Sequence, residues 1–297
     1  MPRNMLKGRI VKRSGDRYIV FHNDQDITCA VRQKVTKSEM YPAVGDWVDI
    51  TLIDDDSGVI ERIIDRGPSL TRTAAGPKPR PQVLLANLDV LAIVTSVSEP
   101  DPNPRLIDRF LVMAEFAEIP SIIVWNKIDL LSKYRIPESR IYKKIGYPIV
   151  YTCAITGNGV RSLKKHITGK TSMFIGASGV GKTSILNQLT PGLGQKVAEI
   201  SQATGKGKHA TSTTEIFPLD GNTYVADSPG VREFALWGVT PIDLGRCFRE
   251  FQSFTEQCRF NDCVHDQEIG CAVKDAVHQG DIEWERWDSY IRILHTL

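Results

Sequence analysis

Apolar and polar positions alternate at short range through residues 6–66. Runs at 6–11, 18–21, 27–31, 47–53 and 59–64 are rich in β-branched and aromatic residues. Gly15-Asp16, Asn23-Asp24 and Asp56-Ser57-Gly58 punctuate them as turns. Five short strands without an intervening helix pattern predict a small closed β-barrel. An OB-fold fits, and an SH3-like barrel is the competing arrangement.

The pattern then changes twice. Residues 68–82 carry four prolines and no periodicity, which predicts a linker or an ordered loop. Beyond them, apolar runs at 90–95, 121–125, 149–152, 172–175 and 223–226 read as buried parallel strands. Helix-period segments at 106–118, 161–167 and 183–189 lie between them. This alternation predicts an α/β sheet. From about 233 the chain changes again, ending in a predicted helix over 282–295. There Trp284, Trp287, Ile291 and Leu294 share a/d spacing, a stripe expected to pack on its own domain. The expected division is 1–67 barrel, 68–232 α/β domain and 233–297 an α-rich C-terminal domain.

Composition narrows the class. The chain has 297 residues, 41% apolar and 24% charged, which is globular usage. No apolar run approaches the roughly 18 residues of a membrane helix, and the basic N-terminus lacks a signal-peptide core. A cytoplasmic protein with no membrane partner is expected. The net charge of +2 does not itself mark a nucleic-acid binder. Its distribution is uneven, however: six basic side chains against one acid over residues 3–17, and Lys206, Lys208 and His209 without an acid over 201–214. Solvated loops and nucleic-acid contacts both produce such clusters.

Three of the six cysteines crowd around a histidine, as Cys258-x₄-Cys263-x-His265-x₅-Cys271. Without an export signal, such clustering points to a metal before a disulfide. Three thiolates and one imidazole suit a closed, tetrahedral structural Zn²⁺ site, one per chain; buried thiols without a metal are the alternative. Cys29, Cys153 and Cys247 are scattered and read as buried thiols.

The sharpest motif is Gly176-Ala177-Ser178-Gly179-Val180-Gly181-Lys182-Thr183, followed by Ser184. It matches the phosphate-binding G-x-x-x-x-G-K-[ST] loop, in which backbone N–H groups cradle phosphates. Lys182 supplies charge to the β- and γ-phosphates and Thr183 a ligand to Mg²⁺. Asn126-Lys127-Ile128-Asp129 ends a predicted strand and resembles the guanine-recognition motif N-K-x-D. A carboxylate at Asp129 accepts from the ring N–H and exocyclic amine of guanine, a pair adenine does not offer. Cys153-Ala154 ends the next strand, where a backbone segment supports the guanine ring. Asp227-Ser228-Pro229-Gly230 resembles D-x-x-G, with Asp227 serving Mg²⁺ and the Gly230 N–H sensing the γ-phosphate. A hydroxyl between these, Thr211 in preference to Ser212 or Thr213, is expected to reach Mg²⁺. Most GTPases begin with the P-loop; here the base-recognition motifs precede it. The cyclic order is intact, so the domain is circularly permuted.

Together these features resemble the RsgA/YjeQ family of ribosome small-subunit-dependent GTPases. The resemblance covers nearly the whole chain through the barrel, NKID, GASGVGKT, GKGKHATS, DSPG and the Cys/His tail. It implies an OB-fold, a permuted GTPase domain and a zinc domain that bind ribosomal RNA during late small-subunit maturation. It also implies GTP hydrolysis to GDP and phosphate that is slow alone and stimulated by the subunit. Val231 follows Gly230 where Ras-like enzymes carry a water-orienting glutamine. The histidine matching His209 is the family's proposed substitute, so the catalytic set is His209, Lys182 and Thr211. Two positions depart from the family pattern: Ala210 precedes Thr211, and Cys153 replaces a serine. A monomer is expected. A nucleotide-gated RNA-binding scaffold with negligible turnover is the alternative; NKID argues against a metabolic P-loop kinase.

Overall fold

Five strands, β1 (Leu6–Ser14), β2 (Arg17–His22), β3 (Gln25–Val31), β4 (Trp47–Leu52) and β5 (Ser57–Ile63), close the N-terminal barrel. One short helix, α1 (Gln33–Thr36), lies between β3 and β4. The structure is a computed structural model and describes residues 5–36, 40–74, 80–131, 137–190, 214–227 and 235–297. β1 pairs with both β2 and β4, and β3 pairs in parallel with β5. The order 1-2-3-5-4-1 is that of an OB-fold, which settles the alternative left by the strand pattern. Alternate residues turn inward, so Ile10, Val20, Ile27, Val48, Ile50 and Ile60 fill the barrel.

The proline-rich stretch after the barrel departs from expectation. Residues 68–82, read as linker or loop, contain β6 (Ser69–Thr73) and the start of β7 (Pro81–Ala86), an antiparallel pair. The prolines do not prevent pairing because Pro68 precedes β6 and Pro81 stands at the first position of β7. The ribbon is too short and too evenly half-buried to show alternation, although Leu70 and Leu85 are fully buried.

The main sheet follows: β8 (Val90–Ser96), β9 (Ser121–Asn126), β10 (Ile149–Tyr151), β11 (Thr171–Ile175), β12 (Glu215–Asp220) and β13 (Thr223–Asp227). Its helices are α2 (Pro104–Phe116), α3 (Pro137–Ile145), α4 (Val160–Ile167) and α5 (Lys182–Leu189). Strand order is β10-β9-β8-β11-β13-β12, parallel except for β12. Every residue of β8, β9 and β11 is buried, as expected of strands covered on both faces. Leu91 and Ile93 pack with α2, while Val90, Ala92 and Val94 pack with α4 and α5. The chain runs outward from β8 to β10 and then returns to β11 on the other side of β8. This makes the crevice at the carboxyl ends of β8 and β11 a topological switch point, where α/β sheets bind ligands.

Barrel and sheet meet through Arg9. It is 2% exposed, donates to Thr171 Oγ1 at 2.7 Å, and lies over the rings of Trp47 and Tyr224. Lys12 pairs with Glu215 at 2.9 Å where β1 touches β12.

The C-terminal unit packs the helices Pro241–Arg246, Ala272–Gln279 and Trp284–Leu294 around Phe248, Phe251 and Tyr290. The last helix is rotated from expectation. Its buried face is Arg286, Ser289, Tyr290 and Ile293, whereas Trp287, Ile291 and Leu294 are only partly buried and Trp284 is 58% exposed. The cause is Arg286. Its Nε donates to Glu250 at 2.6 Å and its Nη1 to Asp108 on α2, and Asp108 also accepts from the Tyr142 hydroxyl at 2.8 Å. Burial alone would lower the Arg286 pKa, but Asp108 and Glu250 more than reverse it and keep the guanidinium charged. Removing one member of a buried ion cluster strands the others. Arg286→Met is therefore expected to destabilise the folded chain by about 3–5 kcal/mol, read as a lowered denaturant midpoint. An unchanged midpoint would show that this cluster does not hold the C-terminal unit to α2.

Among the described residues, no helix is long and apolar enough to cross a membrane.

Candidate nucleotide site and metal centre

The P-loop sequence leaves the end of β11 and enters α5, whose first residue is Lys182. Two glycines are required by contacts. A Cβ on Gly176 would lie 2.1 Å from the Val94 carbonyl, so only glycine lets the loop cross β8. Gly181 adopts φ +96°, and a Cβ there would lie 2.2 Å from Asn126 Nδ2. The N–H groups of the first turn of α5 have no intrahelical acceptors and face the loop, the arrangement that binds phosphate. The Lys182 ammonium donates to the carbonyls of Gly176 at 2.9 Å and Ala177 at 3.0 Å. Burial lowers its pKa, and Asp227 opposes that shift. Around it, Val180 is buried, Ala177 and Thr183 are half-buried, and Ser178, Gly179 and Ser184 are exposed.

Asp227 ends β13. It stands opposite Phe174, two residues before Gly176, which puts its carboxylate beside the loop.

Asn126 ends β9 and is 2% exposed. Its Nδ2 donates to Val180 O at 2.9 Å, while its Oδ1 accepts from Thr152 Oγ1 at 3.0 Å and the Ala154 N–H at 3.2 Å. One side chain thus joins the P-loop to the Cys153-Ala154 segment. Lys127 takes the left-handed conformation, φ 62°, and its ammonium donates to the Glu99 carbonyl. Asp129 sits on the following 3₁₀ turn with its side chain exposed and open to a ligand. Cys153 is buried, and its N–H donates to Asn158 O at 2.9 Å. The described parts of all four motif segments therefore gather at the carboxyl end of the sheet. His209, Thr211 and Gly230 lie outside the described residues.

Sequence reasoning missed Thr152 and Gln188. Gln188 Nε2 donates to the Ala154 carbonyl at 2.9 Å. Neither belongs to a spacing motif. The only signal was that Gln188 falls on the predicted helix 183–189, six positions after Lys182.

The second site lies in the C-terminal unit. The ligand atoms of Cys258, Cys263, His265 and Cys271 all fall within 4.8 Å of one another. His265 Nδ1 is 3.7 Å from Cys258 Sγ and 3.5 Å from Cys271 Sγ. A tetrahedron with Zn–S of about 2.3 Å and Zn–N of about 2.0–2.1 Å has S···N edges of roughly 3.5–3.6 Å, so the donor set fits zinc. His265 reaches inward from a left-handed backbone, φ 58°. Its carbonyl accepts from Trp287 Nε1 at 3.2 Å, and Tyr290 donates to the Val264 carbonyl at 2.6 Å. Glu268 accepts from the N–H groups of Val264 and Asp266. Burial pushes the Cys263 thiol up to about 12, raises Cys271 and lowers His265. A dication reverses the thiol shifts because it binds the thiolate form.

Residues 7–60 match the family model described as RsgA N-terminal domain, and residues 63–237 the one described as RsgA GTPase. Small ribosomal subunit biogenesis GTPase RsgA of Caldanaerobacter subterraneus subsp. tengcongensis is 37% identical over 293 residues, spanning 98% of this chain and 96% of that protein. The protein of the same name from Bacteroides fragilis is 35% identical over 298 residues, spanning 97% and 96%. Among solved structures, YjeQ from Thermotoga maritima aligns with a TM-score of 0.79 at 33% identity, covering 98% of each chain. YloQ, described as a circularly permuted GTPase, aligns with a TM-score of 0.74 at 27% identity, covering 98% of this chain and 94% of its own.

Proposed function

Because this chain belongs to the RsgA family of GTPases, we propose that it hydrolyses GTP in small ribosomal subunit biogenesis, at the site built on Gly176–Thr183. The observation that carries this reading is the triple hydrogen bonding of Asn126, which ties the phosphate loop to the base-binding segment. In this reading Asp129 selects guanine, Ala154 and Cys153 support the ring, and Lys127 lines its edge. The loop from Gly176 through Ser184 wraps the phosphates. Thr183, Asp227 and Thr211 serve Mg²⁺, which when bound neutralises charge on the β- and γ-phosphate oxygens. Water attacks the γ-phosphorus, the bond to the β–γ bridging oxygen breaks, and GDP and phosphate leave. Lys182 stabilises the charge that moves onto that oxygen.

Cys258, Cys263, His265 and Cys271 hold one structural Zn²⁺, on the strength of the donor spacing. Residues 1–67, 68–232 and 233–297 act as barrel, GTPase domain and zinc domain. The barrel and the lysines near His209 meet ribosomal RNA. The protein works as a cytoplasmic monomer.

Val231 has no group that can orient water, so hydrolysis requires another polar residue, and His209 fills that role when the subunit is bound. Purified small subunits should stimulate multiple-turnover phosphate release by the native protein. With His209→Ala, GTP binding and co-sedimentation with subunits should persist, while stimulated turnover falls about 10²–10⁴-fold. Loss of co-sedimentation in step with turnover would assign His209 to RNA contact instead. No stimulation of the native protein would favour a scaffold over an enzyme.

A further inference from the structure

The Gln188 side chain stands on the outer face of α5, where it has free access to water. Its amide nevertheless reaches across 34 positions of sequence to the Ala154 carbonyl, at 2.9 Å. Its Oε1 lies beside Gly157, where an added Cβ would be 3.2 Å away. Ala154 is thereby held on both sides: its N–H bonds Asn126 Oδ1 and its carbonyl bonds Gln188. The rest of the turn is self-bonded, with Cys153 O accepting from Gly157 N at 2.9 Å. Both outside tethers lead to the phosphate loop, through Val180 O in one case and α5 in the other.

We propose that Gln188 is a positioning residue for guanine recognition, coupling the phosphate-binding helix to the backbone that meets the 6-oxo group of the base. Asp129 accepts from N1–H and the 2-amino group, which leaves the 6-oxo oxygen needing a donor. The Cys153 and Ala154 N–H groups already bond Asn158 O and Asn126 Oδ1, so the peptide N–H that follows Ala154 is the donor this turn offers. A trans peptide points its N–H opposite to its C=O, so fixing the Ala154 carbonyl fixes the direction of the N–H that follows. Gln188 lies six residues beyond Lys182, about 9 Å along the helix axis. One rigid rod therefore carries the phosphate end and the support for the base end. The proposal rests on the assignment of Asp129 and Ala154 to the base site.

The test compares GDP with the diphosphate of 2-aminopurine riboside, which keeps the 2-amino group and lacks the 6-oxo oxygen together with the N1 proton that accompanies it; each nucleotide is compared with its own affinity for the native protein. Gln188→Met keeps the length and removes the donor. It should weaken GDP about five- to tenfold, the worth of one buried hydrogen bond, and weaken the 2-aminopurine nucleotide less than about twofold. Gln188→Glu turns a carboxylate toward the carbonyl and should weaken GDP at least as much. The thermal midpoint without nucleotide should move by less than about 2 °C, because the residue is on the surface. Unchanged GDP affinity would overturn the proposal. So would equal loss for both nucleotides, which marks a general role in folding. Asp129→Asn in the same assay separates the two assignments. If GDP preference survives that change, the base site itself is misassigned. If it is lost while Gln188→Met has no effect, only the proposal fails.

Discussion

Stripping the metal from the Cys258–Cys271 cluster is expected to unfold the C-terminal unit while the barrel and the nucleotide-binding sheet stay folded. Among the described residues, 256–270 form neither helix nor strand. This segment supplies three of the four ligands, and its carbonyls at His265 and Val264 accept from Trp287 and Tyr290 on the last helix. The core beneath is small, built on Phe248, Phe251, Tyr290 and a few aliphatic residues. A structural zinc site contributes about 10–16 kcal/mol of apparent binding free energy, which becomes folding free energy. That exceeds what so small a core supplies alone. Elemental analysis of protein purified without chelator should give one zinc per chain. Cys263→Ser should lose the metal and expose the region beyond residue 235 to protease. Trp287 fluorescence should report the same transition when a chelator is added. Metal-free protein with an intact C-terminal unit would contradict this account.

The second large effect concerns base selection. Asp129→Asn should weaken GDP about 10²–10⁴-fold: of two charge-assisted hydrogen bonds worth roughly 1.5–3 kcal/mol each, one loses its charge and the other is replaced by an amide donor facing a guanine donor. The same change should favour xanthine nucleotides, whose 2-oxo group accepts from the new amide. Titration with GDP and XDP reads both changes. Retained GDP affinity would remove Asp129 from the site. Asp129 is well placed for the test because its side chain is exposed on a short turn and carries no packing of its own.

The chemistry of the site was legible in the sequence because it is local. A phosphate cradle needs glycine, lysine and threonine at fixed separations along one turn. The strands of the main sheet were equally visible, since burial on both faces writes an unbroken apolar run such as Val90–Ser96. What the sequence left hidden depends on partners far along the chain. Arg286 and Asp108 are 178 positions apart, and a charged residue inside a helix reads as solvent-facing until its acid is known. That one pair rotated the last helix away from its apolar stripe and left Trp284 in water. The ribbon β6–β7 was hidden for another reason: Pro68 and Pro81 stand at strand ends, where they cost no ladder bond. Helix α3 was missed because only Ile141, Tyr142 and Ile145 of its nine residues are apolar. Tyr142 is nonetheless 1% exposed, drawn in by Asp108.

Motifs in permuted order are expected to build a single guanine-nucleotide site at the carboxyl ends of β8, β9 and β11. A crystal structure with Mg²⁺ and GDP measures this directly. The phosphates should lie within the Gly176–Thr183 loop, with Lys182 turned from the loop carbonyls toward them. The guanine edge should lie on Asp129 and the 6-oxo group at the Ala154 turn. GDP bound with its base away from Asp129, or with its phosphates outside that loop, would contradict this arrangement.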